Sequence, residues 1–250
     1  MAMSDEQKSA TRPRTPLTRA PRPKRFYKGV TIVAVEAGHA IHLDGKPAKT
    51  PGGALLMLQK ERLALRVAAE WEAQGGEIDA TSMPVTRLVN VAIDAIDGHA
   101  VAVRADIVKY AGSDLVCYRA EEPARLVARQ AQMWDPVLAF AEAHLAARFS
   151  IQNGIVFKAQ SDATIAAIRD AVGGVKGLEL AALHSLTTLC GSALIALGVA
   201  RGVLSAAQAV EAAHVDEDWN RELWGADEEA LAVRAHRARD ILAAGDIFLP

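Results

Sequence analysis

Three carboxylates, Asp216, Glu217 and Asp218, stand between His214 and Trp219. A second tryptophan, Trp224, precedes Gly225 and the acidic run Asp227-Glu228-Glu229. Carboxylates and an imidazole this close could move protons, hold a divalent cation or offer an acidic face to a partner. On a helical wheel Ala212, Val215, Trp219 and Leu223 share one face, the one expected to be buried. Glu217 lies opposite, with His214 three residues before it and Arg221 four residues after. The plainest expectation is a solvated Glu217–Arg221 pair worth about 0.3 kcal/mol. A metal would need ligands from elsewhere, because nothing local has a recognised ligand spacing.

Other reactive side chains are scattered. Asp94 and Asp97 could be an acid/base pair, but carboxylates near a helix start are ordinarily stabilised by its dipole. Asp135, between Trp134 and Pro136, reads as a cap or turn acceptor. Ser192 follows Gly191 without a G-x-S-x-G elbow, so its hydroxyl is expected to bond a carbonyl within an apolar helix. Gly173-Gly174 and Gly177 lack the strand and lysine of a phosphate loop. The seven histidines have no metal spacing, and Cys117 and Cys190 fit small buried apolar groups in a reducing compartment. No catalytic constellation emerges, so neither an enzyme nor a cofactor is expected.

The elements that must position these residues follow from composition and pattern. The chain has 250 residues, of which 51% are hydrophobic, 5% aromatic and 23% charged. That balance argues for closely packed helices and against a disordered or strand-dominated chain. Residues 1–28 hold eight Lys/Arg against Asp5 and Glu6, with four prolines and no apolar run. Residues 1–24 therefore read as a disordered basic tail, without a secretory signal. An organelle-targeting role is the alternative, weakened by the acids and prolines. Bacterial cytoplasm is accordingly expected ahead of the mitochondrial matrix. A basic tail also attracts phosphate, but no nucleic-acid recognition motif follows it.

From Gly29 the pattern is β: Val30 to Val35, then Ile41 to Leu43 leading into the hairpin dipeptide Asp44-Gly45, then an edge strand marked by Pro47 and a segment Leu55–Leu58. A helix over 58–74 should cover this sheet, with Trp71 as its largest anchor. After Met83-Pro84 the pattern is helical: 98–111, 122–148 with Pro136 splitting or kinking it, 161–172, 177–200, 206–224 and 227–244. Ser205 and Gln208 form a capping box. Leu178–Ala200 is long enough to span a bilayer, but its His184, Ser185, Thr187, Thr188 and Ser192 favour the central buried helix of a bundle and no membrane insertion. The expected fold is α+β: a small strand-rich domain over 25–85, then an all-helical domain over 86–250.

The ordered motifs resemble a known family. Arg25-Phe26-Tyr27-Lys28, Leu43-Asp44-Gly45-Lys46 and Lys49-Thr50-Pro51 open it. Glu70-Trp71 with Gln74, and Met83-Pro84 with Thr86, Leu88 and Asn90, continue it. Tyr110, Ser113-Asp114-Leu115 and Tyr118 follow, then Gln132, Trp134-Asp135-Pro136, Glu217 and Trp224-Gly225. In this order they are similar to the ATP-twelve family of ATP synthase assembly chaperones of mitochondria and alphaproteobacteria. The resemblance runs from about Arg25 to the C-terminus, with Asn220 where a glutamine is usual. It implies a chaperone that binds the unassembled alpha subunit of the catalytic head until the beta subunit replaces it, without ATP hydrolysis or a metal; a monomer that binds no nucleic acid is expected alongside. It also favours a partner-binding role for the acidic helix, with Asp216, Glu217, Asp218, Trp224 and Glu228 as the expected contact residues.

Overall fold

The computed structural model describes residues 21–250. Of the tail expected to be disordered over 1–24, residues 1–20 fall outside them, and the last residues are ordered against the fold. From Arg22 the chain is held: Arg22 pairs with Asp79 at 2.8 Å, Lys24 bridges Glu77, and Ile78 N–H donates to the carbonyl of Pro23.

Strand β2 (Gly38–Leu43) is the centre of the small sheet. It pairs antiparallel with β1 (Val30–Val35), with β3 (Lys46–Pro47) and with β4 (Met57–Leu58). The Asp44-Gly45 turn has φ of 48° and 78°, as the dipeptide predicts. The Asp44 carboxylate also accepts the N–H groups of Lys28 and Gly29, which fixes the start of β1. Pro47 lies on an edge strand, where its missing N–H removes no ladder bond. Helix α1 (Glu61–Glu72) covers the sheet with Leu63, Ala64 and Val67. Trp71 is only half-buried, because it sits at the last turn with its ring edge-on to Tyr27, whose hydroxyl donates to the Trp71 carbonyl at 2.7 Å. The apolar cluster below the sheet is completed by Val85, Val89, Ala182, Ala243 and Ile247, so helical segments close it.

Helix α2 (Pro84–Val91) begins with proline at its first position and continues through a π-helical turn, Ala92–Ile96, into α3 (Asp97–Gly112). The helical run therefore starts well before residue 98. Asp94 is not at a helix start. From the π turn it accepts the Thr50 hydroxyl at 2.5 Å and the Gly52 N–H at 2.8 Å, tying the helices to the sheet. A Cβ on Gly52 would stand 2.7 Å from the Asp94 carboxyl, so only glycine permits this approach.

After the parallel pair β5 (Tyr118–Arg119) and β6 (Gln152–Asn153), which flanks it in sequence, the long helix α4 (Ala124–Leu145) departs from expectation. Of the two expected effects of Pro136, a split or a kink, the split does not occur, because Trp134, Val137, Phe140 and Ala141 bury the face on either side of the proline. Trp134 is fully buried, and its indole N–H donates to the Ala212 carbonyl at 2.8 Å. Asp135 is no cap; it pairs with Arg119 at 2.9 Å.

Helix α5 (Asp162–Gly173) precedes a second departure. The apolar stretch over 177–200 is two helices, α6 (Gly177–Cys190) and α7 (Ala193–Ala200). Gly191 takes φ 65° and Ser192 caps α7, accepting the Ile195 N–H through its hydroxyl oxygen. The Ser192 side chain is thus a cap, not a group bonded to a carbonyl inside a helix. Beneath this break lies the buried carboxyl of Asp114, which accepts from Leu194 N–H and Val116 N–H. Among the described residues no helix is long and apolar enough to cross a membrane. The third departure is at His214, which separates α8 (Ala206–Ala213) from α9 (Val215–Trp224); α10 (Glu228–Asp246) follows. The Ser205–Gln208 capping box forms as expected. The α+β architecture is as the sequence implies, with the larger core among the helices.

Candidate functional site

Helices α9 and α10 are joined by Gly225-Ala226-Asp227. Gly225 has φ 79°, and Asp227 caps α10 by accepting the Ala230 N–H at 2.7 Å. So short a connection brings the two helices back on each other. Asp218 and Arg234, eight residues before and eight after Ala226, meet in a two-pronged ion pair at 2.6 and 2.5 Å. The C-terminal half of α10 is anchored in both cores through Ile241, Ala243, Ala244 and Ile247. By contrast every residue from Glu222 to Val233 is exposed. The result is a helical tip standing beyond the core, braced at its root by the Asp218–Arg234 pair.

The three acids of α9 do three different things. Asp216 accepts from the Gln130 amide of α4 at 2.7 Å. Asp218 is buried; burial pushes its carboxyl up, but Arg234, helped by Arg221, overcomes this and holds it below its ordinary value. Glu217 is more than half exposed and pairs with Arg237 at 3.0 Å, with the His214 ring 3.6 Å away. The expected Glu217–Arg221 pair does not form, because Arg221 turns to Asp218 at 3.3 Å. The imidazole of His214 is buried, its Nδ1 2.7 Å from the Val210 carbonyl. Ala212, Val215 and Trp219 are buried as the helical wheel predicts, but Leu223 is 56% exposed because α9 has by then left the core.

Between the two helices runs a groove of about 640 Å³, lined by Glu217, Asn220, Trp224, Leu231, Val233 and Arg237 among others. Trp224 is 84% exposed. With Leu231 and Val233 it lines the groove as an apolar tip that Asp227 and Glu229 border; Leu223 is exposed next to it in sequence, and Glu222 pairs with Arg129 of α4 at 2.7 Å. Large apolar side chains grouped in solvent mark an interaction surface, and tryptophan is the residue that most often anchors one. Among the described residues no three His, Cys, Asp or Glu side chains are placed to hold a metal ion. Of the expected contact residues, the structure puts Glu217, Trp224 and Glu228 at the surface, and Asp216 and Asp218 at positions that brace the helix. Sequence reasoning missed Leu231, Val233, Arg234 and Arg237. Their signal was the tight Gly225 turn, which sets residues equidistant from it face to face.

The sequence profile of the ATP12 chaperone protein family matches residues 24–142. Among solved structures, Atp12 from Paracoccus denitrificans is 38% identical with a TM-score of 0.81, covering 90% of this chain and 97% of that one. The chain belongs to the ATP12 chaperone family. A candidate chaperone from Agrobacterium tumefaciens is 46% identical with a TM-score of 0.84, over 90% of this chain and 85% of that one. The mitochondrial atp12 protein of Schizosaccharomyces pombe is 24% identical over 238 residues, 90% of this chain and 81% of its own length.

An ATP12 chaperone with two thiols raises the question of their reactivity. Both are buried and unpaired. Burial, reinforced by the charge of Asp114, pushes Cys117 and Cys190 each up to about 12. The thiolate is the reactive form. Iodoacetamide at pH 8 should therefore leave the native chain unmodified and alkylate both cysteines once denaturant is added, read by intact mass.

Proposed function

We propose that this ATP12-family chaperone acts in ATP synthase assembly, binding the unassembled alpha subunit of the catalytic head and releasing it to the beta subunit. The single observation that carries this reading is the exposed Trp224 tip, pinned at its root yet left open to solvent among the described residues. An unpaired subunit exposes an apolar interface that would otherwise aggregate. A chaperone must cover that interface reversibly, and a small apolar tip with an acidic border does so with moderate affinity. In this reading Trp224 inserts, Glu217 and Glu228 steer the encounter, and Asp216 and Asp218 hold the tip in place. The chain works as a monomer, in bacterial cytoplasm first and mitochondrial matrix second.

The test is aggregation of freshly diluted alpha subunit, followed by light scattering without nucleotide. Near-stoichiometric chain should suppress it, and added beta subunit should take the client over. No suppression, with no complex on a sizing column, would overturn the reading. Glu217→Lys should fold normally and protect less, with a half-protecting concentration several-fold higher at low salt and a smaller difference at high salt. Unchanged protection at low salt would remove Glu217 from the contact.

A further inference from the structure

The segment between α4 and α5 carries a second apolar cluster. Ile155 is 96% exposed, Val156 70% and Phe157 67%, and Ile151 is also exposed. Surface apolar residues are normally scattered singly, and four within seven residues form a patch that calls for a cover. The loop is held open at its base. Arg119 bridges Asn153, and Gly154 N–H donates to the Arg119 carbonyl at 2.8 Å. On the other side the Gln160 amide donates to the Ser150 carbonyl at 3.0 Å and accepts its N–H at 2.8 Å, closing the neck.

That base is hydrogen-bonded to the root of the helix that carries the tip. Ala120, next to the bridged Arg119, donates its N–H to Gln130 Oε1 at 2.8 Å, and Gln130 Nε2 donates to Asp216 on α9 at 2.7 Å. Gln130 is itself buried. One side chain thus links the strand beneath the loop to the helix that carries Trp224.

We infer that the Ile151–Phe157 loop is a second contact for the same client subunit that the tip engages, an inference that rests on the function proposed above. Three occupants differ in fit. Residues 1–20 are basic, proline-rich and poor in large apolar side chains, so they do not complement this loop. The four side chains offer on the order of 600 Å² in all, so a second copy seated on this loop alone falls short of the about 800 Å² per partner that a stable interface takes. Added to the tip, the same area brings one client interface towards that size. Lys158 is the one charged residue in 151–158, so the client surface under the loop is apolar, whereas that facing the acidic border of the tip is basic.

The experiment uses the full chain, diluted alpha subunit and no nucleotide. The double variant Ile155→Ser/Phe157→Ser should keep its thermal midpoint and raise the half-protecting concentration about tenfold. A benzoylphenylalanine photocrosslinker at Val156 should give a one-to-one adduct with the client, and the same group at Val101, exposed on α3, should give none. Protection equal to the unsubstituted chain with no adduct at 156 would overturn the loop contact alone. An adduct of the chain with itself would assign the loop to a second copy and overturn it too. If the unsubstituted chain fails to protect, the proposed function falls and this inference with it.

Discussion

Trp224→Ala should raise the concentration needed for half-protection of the client about 30-fold, while the thermal midpoint of the free chain stays unchanged. The two halves of this expectation have one cause. The indole is 84% exposed and makes no ring contact among the described residues, so removing it should take little from folding. In a complex the same ring is the largest apolar group the tip can bury, and truncating an aromatic anchor costs about 2 kcal/mol or more. A drop in midpoint with unchanged protection would assign Trp224 to folding and leave the tip without a role. Asp218→Ala makes the complementary case. It leaves Arg234 unpaired at the root of the tip, so protection should fall together with order in α10, read by amide exchange over 228–237.

The largest effect on stability is expected at Asp114. Burial pushes its carboxyl up to about 6, against the pull of hydrogen bonds from Ser192, Leu194, Val116 and Ala193. The native pKa lies above the ordinary 3.8, so the native state holds a proton that the unfolded chain has lost between about pH 4 and 6. The stabilisation is complete below pH 4 and is lost as pH rises through 6. The gap between 3.8 and about 6 corresponds to about 3 kcal/mol. Carboxylates held low, such as Asp44 and Asp218, act in the opposite direction, gaining stability over the acid range. The clean measurement is therefore the difference in urea stability between the unsubstituted chain and Asp114→Asn at pH 4 and at pH 7. That difference should move by about 3 kcal/mol in favour of the variant at pH 7. A pH-independent difference would show that Asp114 titrates alike in the native and unfolded chains and would remove the effect. Asp114→Ala should be destabilised at both, since Leu194 and Val116 would be left with unpaired buried N–H groups.

What was legible in the sequence was local. Asp44-Gly45 encodes its turn, Ser205 and Gln208 encode their cap, and the motif order from Arg25 to Trp224-Gly225 encodes the family. What was hidden depends on partners far along the chain. Gly191-Ser192 breaks an apolar run because Asp114, almost eighty residues earlier, accepts from the first turn of α7. Pro136 leaves α4 whole because packing on both sides of it outweighs the missing bond. Glu217 and Arg221 have the spacing of a helical pair, yet tertiary partners take both: Arg237 for the acid and Asp218 for the base. Leu223 carries the heptad of a buried face into solvent because α9 outruns the core there. That excess is what makes the tip, and periodicity alone reads it as core.

The most direct test of the account is amide hydrogen exchange of the full chain, alone and with the freshly diluted alpha subunit. The account predicts slowed exchange over 222–233, with 151–157 as the second protected segment, and little change along β1 and β2. Exchange unchanged over 222–233 in a chain that still protects the client would contradict it, and would place the client on another face of the molecule.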